Sequence, residues 1–515
     1  MEKSDFNEFK LSKEILKSLE LLNYNEPTKV QKRFIPIILK KNDVIIQSHT
    51  GSGKTATFAI PVCQFVDWKE NKPQALIITP TRELALQVKE DVFNIGRFKR
   101  LKVCALYGKS PFYIQAKELK QKTHIVVGTP GRINDHLSRN TLDFSNIKYL
   151  IIDEADEMMK MGFIKQIQSI ISELPTNRLT IVLSATIPKE IKDLCCKYMK
   201  NPIHIALENE LTKEVIIQEQ YKVDTNKKTE VLINLLKVEN PDSCMIFCNT
   251  QKKVEELFKE FTNKGYEKNK LSFSRNKSLD IKDSHTNKTQ YYFFGHPCNN
   301  YLCERIHGGM EQIDRFKIMN NYKKSKFRYL IATDVAARGI DIDNISLVIN
   351  YDVPNKVENY VHRIGRTGRI GNKGKAITLV SDFEEKLMYD IQMYLNKNIS
   401  INKKPNIEKV LSSKEDFIKK INLPTKVKEE KSMKVNKNII KLHINAGKKT
   451  KMRAVDIVGT LCNLDDVEAS DIGIINIMDI STYVEILNNK GESVLTQLQT
   501  KTIKGRLRKV NRTER

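Results

Sequence analysis

DVIIQSHTGSGKTATFAIPVCQFV, residues 43–66, is the stretch whose reading decides the fold. It opens on the apolar run DVIIQ, passes through the glycine-rich turn HTGSGKT at 49–55, and runs into the helical stretch TATFAIPVCQFV. Strand, loop and helix in that order are the setting in which even a loose match to G-x-x-x-x-G-K-[ST] reads as a phosphate-binding loop. Backbone N–H groups of Thr50, Gly51, Ser52 and Gly53, with the helix N-terminus behind them, would cradle phosphates. Lys54 would reach the β- and γ-phosphates, and Thr55 would hold Mg²⁺. A glycine-rich turn that binds nothing is the bland alternative, and the flanking strand and helix argue against it.

Outward from this point the same rhythm continues. The runs ALIIT (75–79), HIVVG (124–128), YLIID (149–153) and TIVLS (180–184) alternate with helical stretches. Short runs that are apolar on both faces describe a parallel sheet covered by helices on both sides. The pattern restarts with CMIFCN (244–249), RYLIAT (328–333), LVINYD (347–352) and AITLVS (376–381). Two tandem α/β domains follow, over residues 1–207 and 213–395. Residues 396–435 are Lys-rich and read as a basic linker carrying one short helix around Ser413–Ile421. Beyond them IIKLHIN, VDIVGTLCN, IGIINIM, TYVEIL, SVLTQLQ and GRLRKVN predict a compact β-α-β-β-α-β domain over 436–515. The stretch 267–302 breaks the second α/β pattern with Asn, Lys and Ser, and reads as a structureless surface insertion. Its His285, His296 and Cys298, with Cys303 beyond, lack the paired short spacings of a zinc site.

Composition narrows the class. The 515 residues hold 87 Lys and Arg against 62 Asp and Glu, leaving +25. A surplus of that size points to a polyanionic partner. No apolar run approaches the roughly 18–20 residues needed to span a bilayer. The opening MEKSDFNEFK has no apolar core, so no secretory signal is expected and a cytoplasmic location is. Nine scattered cysteines predict reduced, mostly buried thiols rather than a disulfide framework.

At the end of YLII stands Asp153-Glu154-Ala155-Asp156. A carboxylate at a strand's C-terminal edge, beside a phosphate loop, is placed to organise Mg²⁺, and Asp153 would do so through water. Glu154 would act as general base on the attacking water. Alone, such a cluster is more often a helix N-terminus, where acids complement the dipole. The partnership with GSGKT favours catalysis.

These residues resemble the DEAD-box RNA helicases over about residues 5–385, with many motifs recurring in order. The resemblance implies two RecA-like domains, ATP and Mg²⁺ as cofactors, and RNA-stimulated ATP hydrolysis. Phe6 and NYNEPTKVQ (23–31) are similar to the adenine-recognition motif, in which Gln31 reads the adenine edge and Phe6 stacks on the ring. PTRELA (80–85) and TPGR (129–132) resemble RNA-contacting motifs, implying roles for Arg82, Thr129, Gly131 and Arg132. Ser184-Ala185-Thr186 resembles the element that couples hydrolysis to strand separation. In the second domain MIFCNT (245–250), Gln312 with Arg315, and TDVAARGID (333–341) resemble RNA- and nucleotide-facing motifs, with Thr333 on RNA and Asp341 on the ribose. HRIGRTGR (362–369) completes the set, implying a coupling role for His362 and finger roles for Arg366 and Arg369. Arginine suits that role because it spreads transition-state charge over phosphate oxygens. With base and fingers on different domains, hydrolysis is expected to require closure of the cleft. Three departures stand out: Ser48-His49 replaces the usual Ala-Gln, Tyr107-Gly108-Lys109 has one glycine where a pair is usual, and the insertion near 267–302 falls just before RIHGGM.

LHINAGKKTKMRAVDIVGTL (442–461), DIGIINIMDISTYVEIL (471–487) and the basic close KTIKGRLRKVN (501–511) resemble the RNA-binding domain of the bacterial DbpA/YxiN subgroup, an RRM-like α+β fold. That resemblance implies a hairpin of 23S ribosomal RNA and pre-large-subunit particles as partners, and ribosome biogenesis as the setting. It implies no obligate protein partner. The strand STYVEIL offers Tyr483 but lacks the aromatic pair of an ordinary RRM. Lys448, Lys449, Arg506 and Arg508 are therefore the expected phosphate and hairpin contacts, with a merely solvated basic face as the alternative. Three functions compete: a ribosomal RNA remodelling ATPase, a general helicase whose tail tethers RNA by charge, and a non-hydrolysing RNA-binding protein. Intact Lys54, Asp153, Glu154, Arg366 and Arg369 argue against the third.

Overall fold

The computed structural model describes residues 5–48, 53–206, 216–263, 281–282, 289–293, 296–298, 302–334, 345–368, 373–425, 427 and 435–513. The chain divides into two compact units, one holding 1–48, 53–207 and 430–515, the other 49–52 and 208–429.

In the first unit seven strands form one parallel sheet: β1 (Val44–Gln47), β2 (Ala75–Ile78), β3 (Val103–Leu106), β4 (Ile125–Gly128), β5 (Tyr149–Ile152), β6 (Leu179–Ser184) and β7 (Ile203–Ala206). Their order is β3-β4-β2-β5-β6-β1-β7. β2 to β6 are buried along their whole length because helices cover both faces, which is why their sequences run apolar rather than alternating. The order places β1, β6 and β5 side by side, so the phosphate loop, the Ser-Ala-Thr element and the acidic motif all leave the same carboxyl edge. Such an edge is where open α/β sheets bind ligands.

The second unit repeats the plan. Its strands are β8 (Ile216–Lys222), β9 (Cys244–Cys248), β10 (Ile281–Lys282), β11 (Thr289–Phe293), β12 (His296–Cys298), β13 (Cys303–Ile306), β14 (Tyr329–Thr333), β15 (Leu347–Asn350), β16 (Gly374–Val380) and β17 (Ser400–Ile401). Seven of them form a sheet in the order β13-β14-β9-β15-β16-β8-β17. The other three, β10-β11-β12, form a small antiparallel ribbon within the insertion that the sequence suggested was structureless. The aromatic run TQYYF supplies the strand propensity that the polar composition around it hides.

The stretch expected as linker also carries structure. A helix spans Ile407–Asn422, capped by Asn406 Oδ1 accepting from Lys409 N at 2.9 Å. Phe417 and Ile421 are fully buried in the second unit's core. Lys420 Nζ donates to Asn240 O at 2.6 Å. Residues 426 and 428–434 of that expected linker lie outside the described residues.

Beyond them β18 (Ile440–Ile444), β19 (Ile472–Ile477), β20 (Thr482–Ile486), β21 (Thr502–Ile503), β22 (Arg506–Leu507) and β23 (Val510–Arg512) complete the chain. Four form an antiparallel sheet ordered β19-β20-β18-β23, backed by helices Ala454–Cys462 and Gly491–Leu498. Leu442, Ile444, Val484 and Ile486 point at those helices and are buried. The alternation leaves His443, Tyr483 and Glu485 on the opposite face. The β-α-β-β-α-β reading holds, with the β21–β22 hairpin added before the last strand. Six of the eight cysteines with described side chains are buried, and none of the eight is in a disulfide. No described helix is long and apolar enough to cross a membrane.

Candidate active site and nucleic-acid interface

The loop after β1 is set by Gly53, which takes φ +83° as it caps helix Lys54–Phe65. A Cβ there would lie 2.8 Å from Gln31 Nε2, so glycine is required twice, for conformation and for space. Gln31 Nε2 donates to Gly53 O at 3.3 Å, and its Oε1 accepts from Thr28 N at 2.9 Å. Thr28 Oγ1 in turn accepts from Gln31 N, closing a capping box on helix Lys29–Leu39. The amide assigned by resemblance to adenine thus also joins its own motif to the phosphate loop. Phe6, expected to stack on adenine, is only 2% exposed and meets Phe9 and Tyr24 edge-on in the first core. The structure makes it a core residue, because the short helix Phe6–Phe9 turns its ring inward. Thr50, Gly51 and Ser52 lie outside the described residues.

Lys54 Nζ donates to Ser48 O at 2.9 Å, which holds the ammonium across its own loop. Asp153 is 4% exposed and accepts from Glu154 N at 3.0 Å. Burial raises the pKa of its carboxyl above the ordinary range, while Lys54 and the Glu154 N–H pull the other way. A buried carboxylate in that position gains from a hard cation, and with the Thr55 hydroxyl it offers the oxygen donors that Mg²⁺ takes. Glu154 sits in the left-handed region at φ 51°, a strained conformation for a side chain of its size.

Asp156, quoted in the sequence but given no role there, proves to be the hub. Its Oδ2 accepts from Thr186 N and Thr186 Oγ1, each at 3.2 Å. Its own N–H donates to Ser184 Oγ at 3.2 Å, and that hydroxyl donates to Thr186 O at 2.6 Å. The acidic motif and the Ser-Ala-Thr element are therefore one hydrogen-bonded network that runs through Ser184 and Thr186.

Arg82 opens helix Arg82–Ile95. A Cβ on Gly108 would stand 3.4 Å from its guanidinium, so the single glycine of that turn faces Arg82. Lys109, at the usual second glycine, takes φ 59° and is exposed. Thr129 caps helix Pro130–Ser138. A Cβ on Gly131 would meet only Gln166, at 3.6 Å. Arg132 Nη1 donates to Ser110 O and Gln115 Oε1, which orients it from behind.

In the second unit Thr333 ends β14 and is buried. Gln312 and Arg315 lie in the first turn of helix Gln312–Lys323. The motif HRIGRTGR is anchored by Arg363, which sequence reasoning passed over: Nε and Nη2 reach the two oxygens of Asp334 at 2.5 and 2.9 Å. Nη1 also donates to Asp352 O and Nη2 to Asn249 Oδ1, each at 2.7 Å. The clamp presents His362, half-buried, and Arg366, 5% exposed, on and just after helix Val357–Ile364. Asp341 and Arg369 lie outside the described residues.

In the C-terminal domain Lys448 and Lys449 occupy an exposed short turn, their N–H groups bonded to Met478 O and Asp479 O at 2.8 Å. Lys504, on the β21–β22 hairpin, donates to Lys451 O and to Asp456 Oδ2. That bond ties the hairpin carrying exposed Arg506 to the Lys448–Thr450 turn, with half-buried Arg508 just past it. Among the described residues of the sheet's open face, His443 and Tyr483 approach as rings, 5.1 Å apart.

Comparison with known proteins follows the same division. Residues 28–194 match the DEAD/DEAH box helicase family, 269–371 the helicase conserved C-terminal domain, and 441–512 the DbpA RNA binding domain. The chain is 50% identical over 510 residues to the ATP-dependent RNA helicase DbpA of Bacillus subtilis (strain 168), covering 99% of each. It is 36% identical over 411 residues to the DEAD-box ATP-dependent RNA helicase CshA of Geobacillus kaustophilus, covering 80% of each. Among solved structures, S. cerevisiae Dbp5 bound to RNA and ADP BeF3 aligns with a TM-score of 0.66 at 27% identity, covering 80% of this chain and 99% of that one.

Proposed function

The chain belongs to the DEAD-box family of ATP-dependent RNA helicases and carries a DbpA RNA-binding domain, and from that premise we propose that its substrate is structured large-subunit (23S) ribosomal RNA, remodelled during ribosome assembly. It is an RNA-stimulated ATPase that binds RNA. The observation that carries the finer reading is the basic surface built by Lys448, Lys449 and Arg506, gathered by Lys504 at one end of the C-terminal domain. A flat basic face would bind any RNA, whereas a turn and a hairpin locked together make a shaped surface suited to a hairpin.

In the ATPase centre, Lys54 binds the β- and γ-phosphates and Gln31 meets the adenine edge. Thr55 and Asp153 would hold Mg²⁺, which when bound neutralises charge on the phosphates. Glu154 takes the proton of the attacking water from a strained backbone position at the start of helix Ala155–Lys160. Arg366 and Arg369 supply the fingers. Asp156 passes the state of the acidic motif to Ser184 and Thr186, which is how phosphate loss would reach the RNA grip. Arg82, Thr129, Gly131, Arg132, Gln312, Arg315 and Thr333 hold RNA backbone without reading bases.

The test is RNA-stimulated ATPase of the full chain with RNAs that carry or lack the ribosomal hairpin, at matched salt. Half-maximal stimulation at a concentration at least tenfold lower for the hairpin RNA is expected. Equal activation by both would leave a general helicase with a charge tether.

A further inference from the structure

Residues 430–515 belong to the same compact unit as the first parallel-sheet domain. Five polar pairs join them. Arg97 Nη2 stands 3.2 Å from Glu485 Oε1, with the two side chains only 5% and 12% exposed. Lys102 Nζ donates to Ile475 O at 2.7 Å, and Arg100 donates to Ala469 O. Lys17 Nζ donates to Asn488 Oδ1 at 2.8 Å, and Gln121 Nε2 to Met478 Sδ at 3.0 Å. In each pair the donor comes from the first domain and the acceptor from the C-terminal one.

The residue types fit a built seat. Glu485 lies on the open face of β20, between Val484 and Ile486, which point into the domain's own core. A carboxylate there would ordinarily be solvated, yet this one is covered, and Arg97 is the cation that makes the burial tolerable. Arg97 is itself pre-positioned, its guanidinium 4.6 Å from the centre of the Phe93 ring. Ile474, on the edge strand β19, is 5% exposed although it stands apart from the domain's apolar cluster. A second anchor is apolar: Val435, where the C-terminal domain begins, is 1% exposed and packs into the first domain's core.

We propose that the ridge Arg97–Lys102 is a docking seat for the open face of β19 and β20, carrying the RNA-binding domain at a fixed place on the first helicase domain rather than on a free tether. RNA held at Lys448 and Arg506 is then presented to the core from one direction. That consequence rests on the RNA reading above, whereas the docking does not.

Charge exchange in the full-length chain tests the seat. Arg97→Glu and Glu485→Arg should each raise the radius of gyration measured by small-angle scattering, and the double exchange should return it to the wild-type value. Basal ATPase should be unchanged in all three, which shows that the first domain is folded. Glu485→Gln, which keeps the shape, should give a partial expansion that grows with salt. The RNA concentration for half-maximal ATPase should rise at least threefold in the single exchanges and recover in the double. Unchanged scattering in the single exchanges, or no recovery in the double, overturns the seat. Expanded scattering with unaltered RNA dependence overturns the claim that docking presents RNA, while hairpin preference in the wild-type chain still decides the RNA reading separately.

Discussion

Glu154 is held at φ 51° directly after Asp153, and it is half-buried where Asp153 is buried. Asp153 is held by burial and a backbone N–H, and Glu154 caps the helix Ala155–Lys160 that follows. Glu154→Gln keeps the shape and removes the base, so it should bind ATP and RNA yet lose at least 10²-fold in turnover. Single-turnover hydrolysis measures this, and a loss of only a few-fold would assign the base elsewhere. A second residue sets acid stability. His124 Nδ1 accepts from Lys102 N at 2.8 Å, and Nε2 donates to Trp68 O at 3.0 Å, so the ring is neutral in the fold. Burial, with Lys122 and Lys102 nearby, lowers its pKa from 6.5 to about 4. A group whose pKa is depressed on folding takes up protons preferentially in the unfolded chain between those values. Its contribution is therefore complete above about pH 6.5 and is lost as pH falls toward 4. Between pH 7 and pH 5 the first domain should lose about 2 kcal/mol from this group. Urea unfolding followed by Trp68 fluorescence at the two pH values reads the loss, and His124→Gln should flatten it.

At the scale of elements, the strands were legible because burial on both faces writes itself as uninterrupted Val, Ile and Leu, as in IVVG and YLII. The phosphate loop and acidic motif were legible because their chemistry demands fixed spacing. What escaped was carried by partners distant in sequence. Asp156 reads as one more acid until Thr186, thirty residues on, is seen to bond it. Arg363 reads as one more basic residue until Asp334 closes the bidentate clamp. The helix Ile407–Asn422 was foreshortened because its Lys-rich exposed face outweighs a narrow apolar stripe, although Asn406 is a readable cap. That stripe is structural. Phe417→Ala should destabilise the second unit by about 3–5 kcal/mol through an unfilled cavity. An unfolding midpoint shifted by less than the equivalent of about 1 kcal/mol would mean the helix is merely an appendage.

At the scale of the whole molecule, the +25 charge suits a polyanionic partner. The proposed function assigns the core motifs to RNA backbone, which carries no sequence preference, and so places selectivity on the surface that the C-terminal domain keeps exposed. Its open sheet face is partly committed to Arg97, which leaves the Lys448–Thr450 turn and the β21–β22 hairpin as the basic region free for RNA. Replacing Lys448, Lys449 and Arg506 by glutamate should therefore separate the two kinds of binding. Three lost phosphate contacts should lower the slope of log affinity against log salt by roughly 2–3. Stimulation by hairpin RNA should fall to the level of hairpin-free RNA, while basal ATPase, which needs only the nucleotide site, stays as it was. Removing residues 436–515 would be a poorer experiment, since it would strip the cover from Arg97 and leave Val435 as a frayed end in the first core. The informative measurement is the salt dependence of both RNAs on the triple variant. A parallel loss for the two would mean that these cations add only charge, and that hairpin preference, where it exists, is read by another face of the domain.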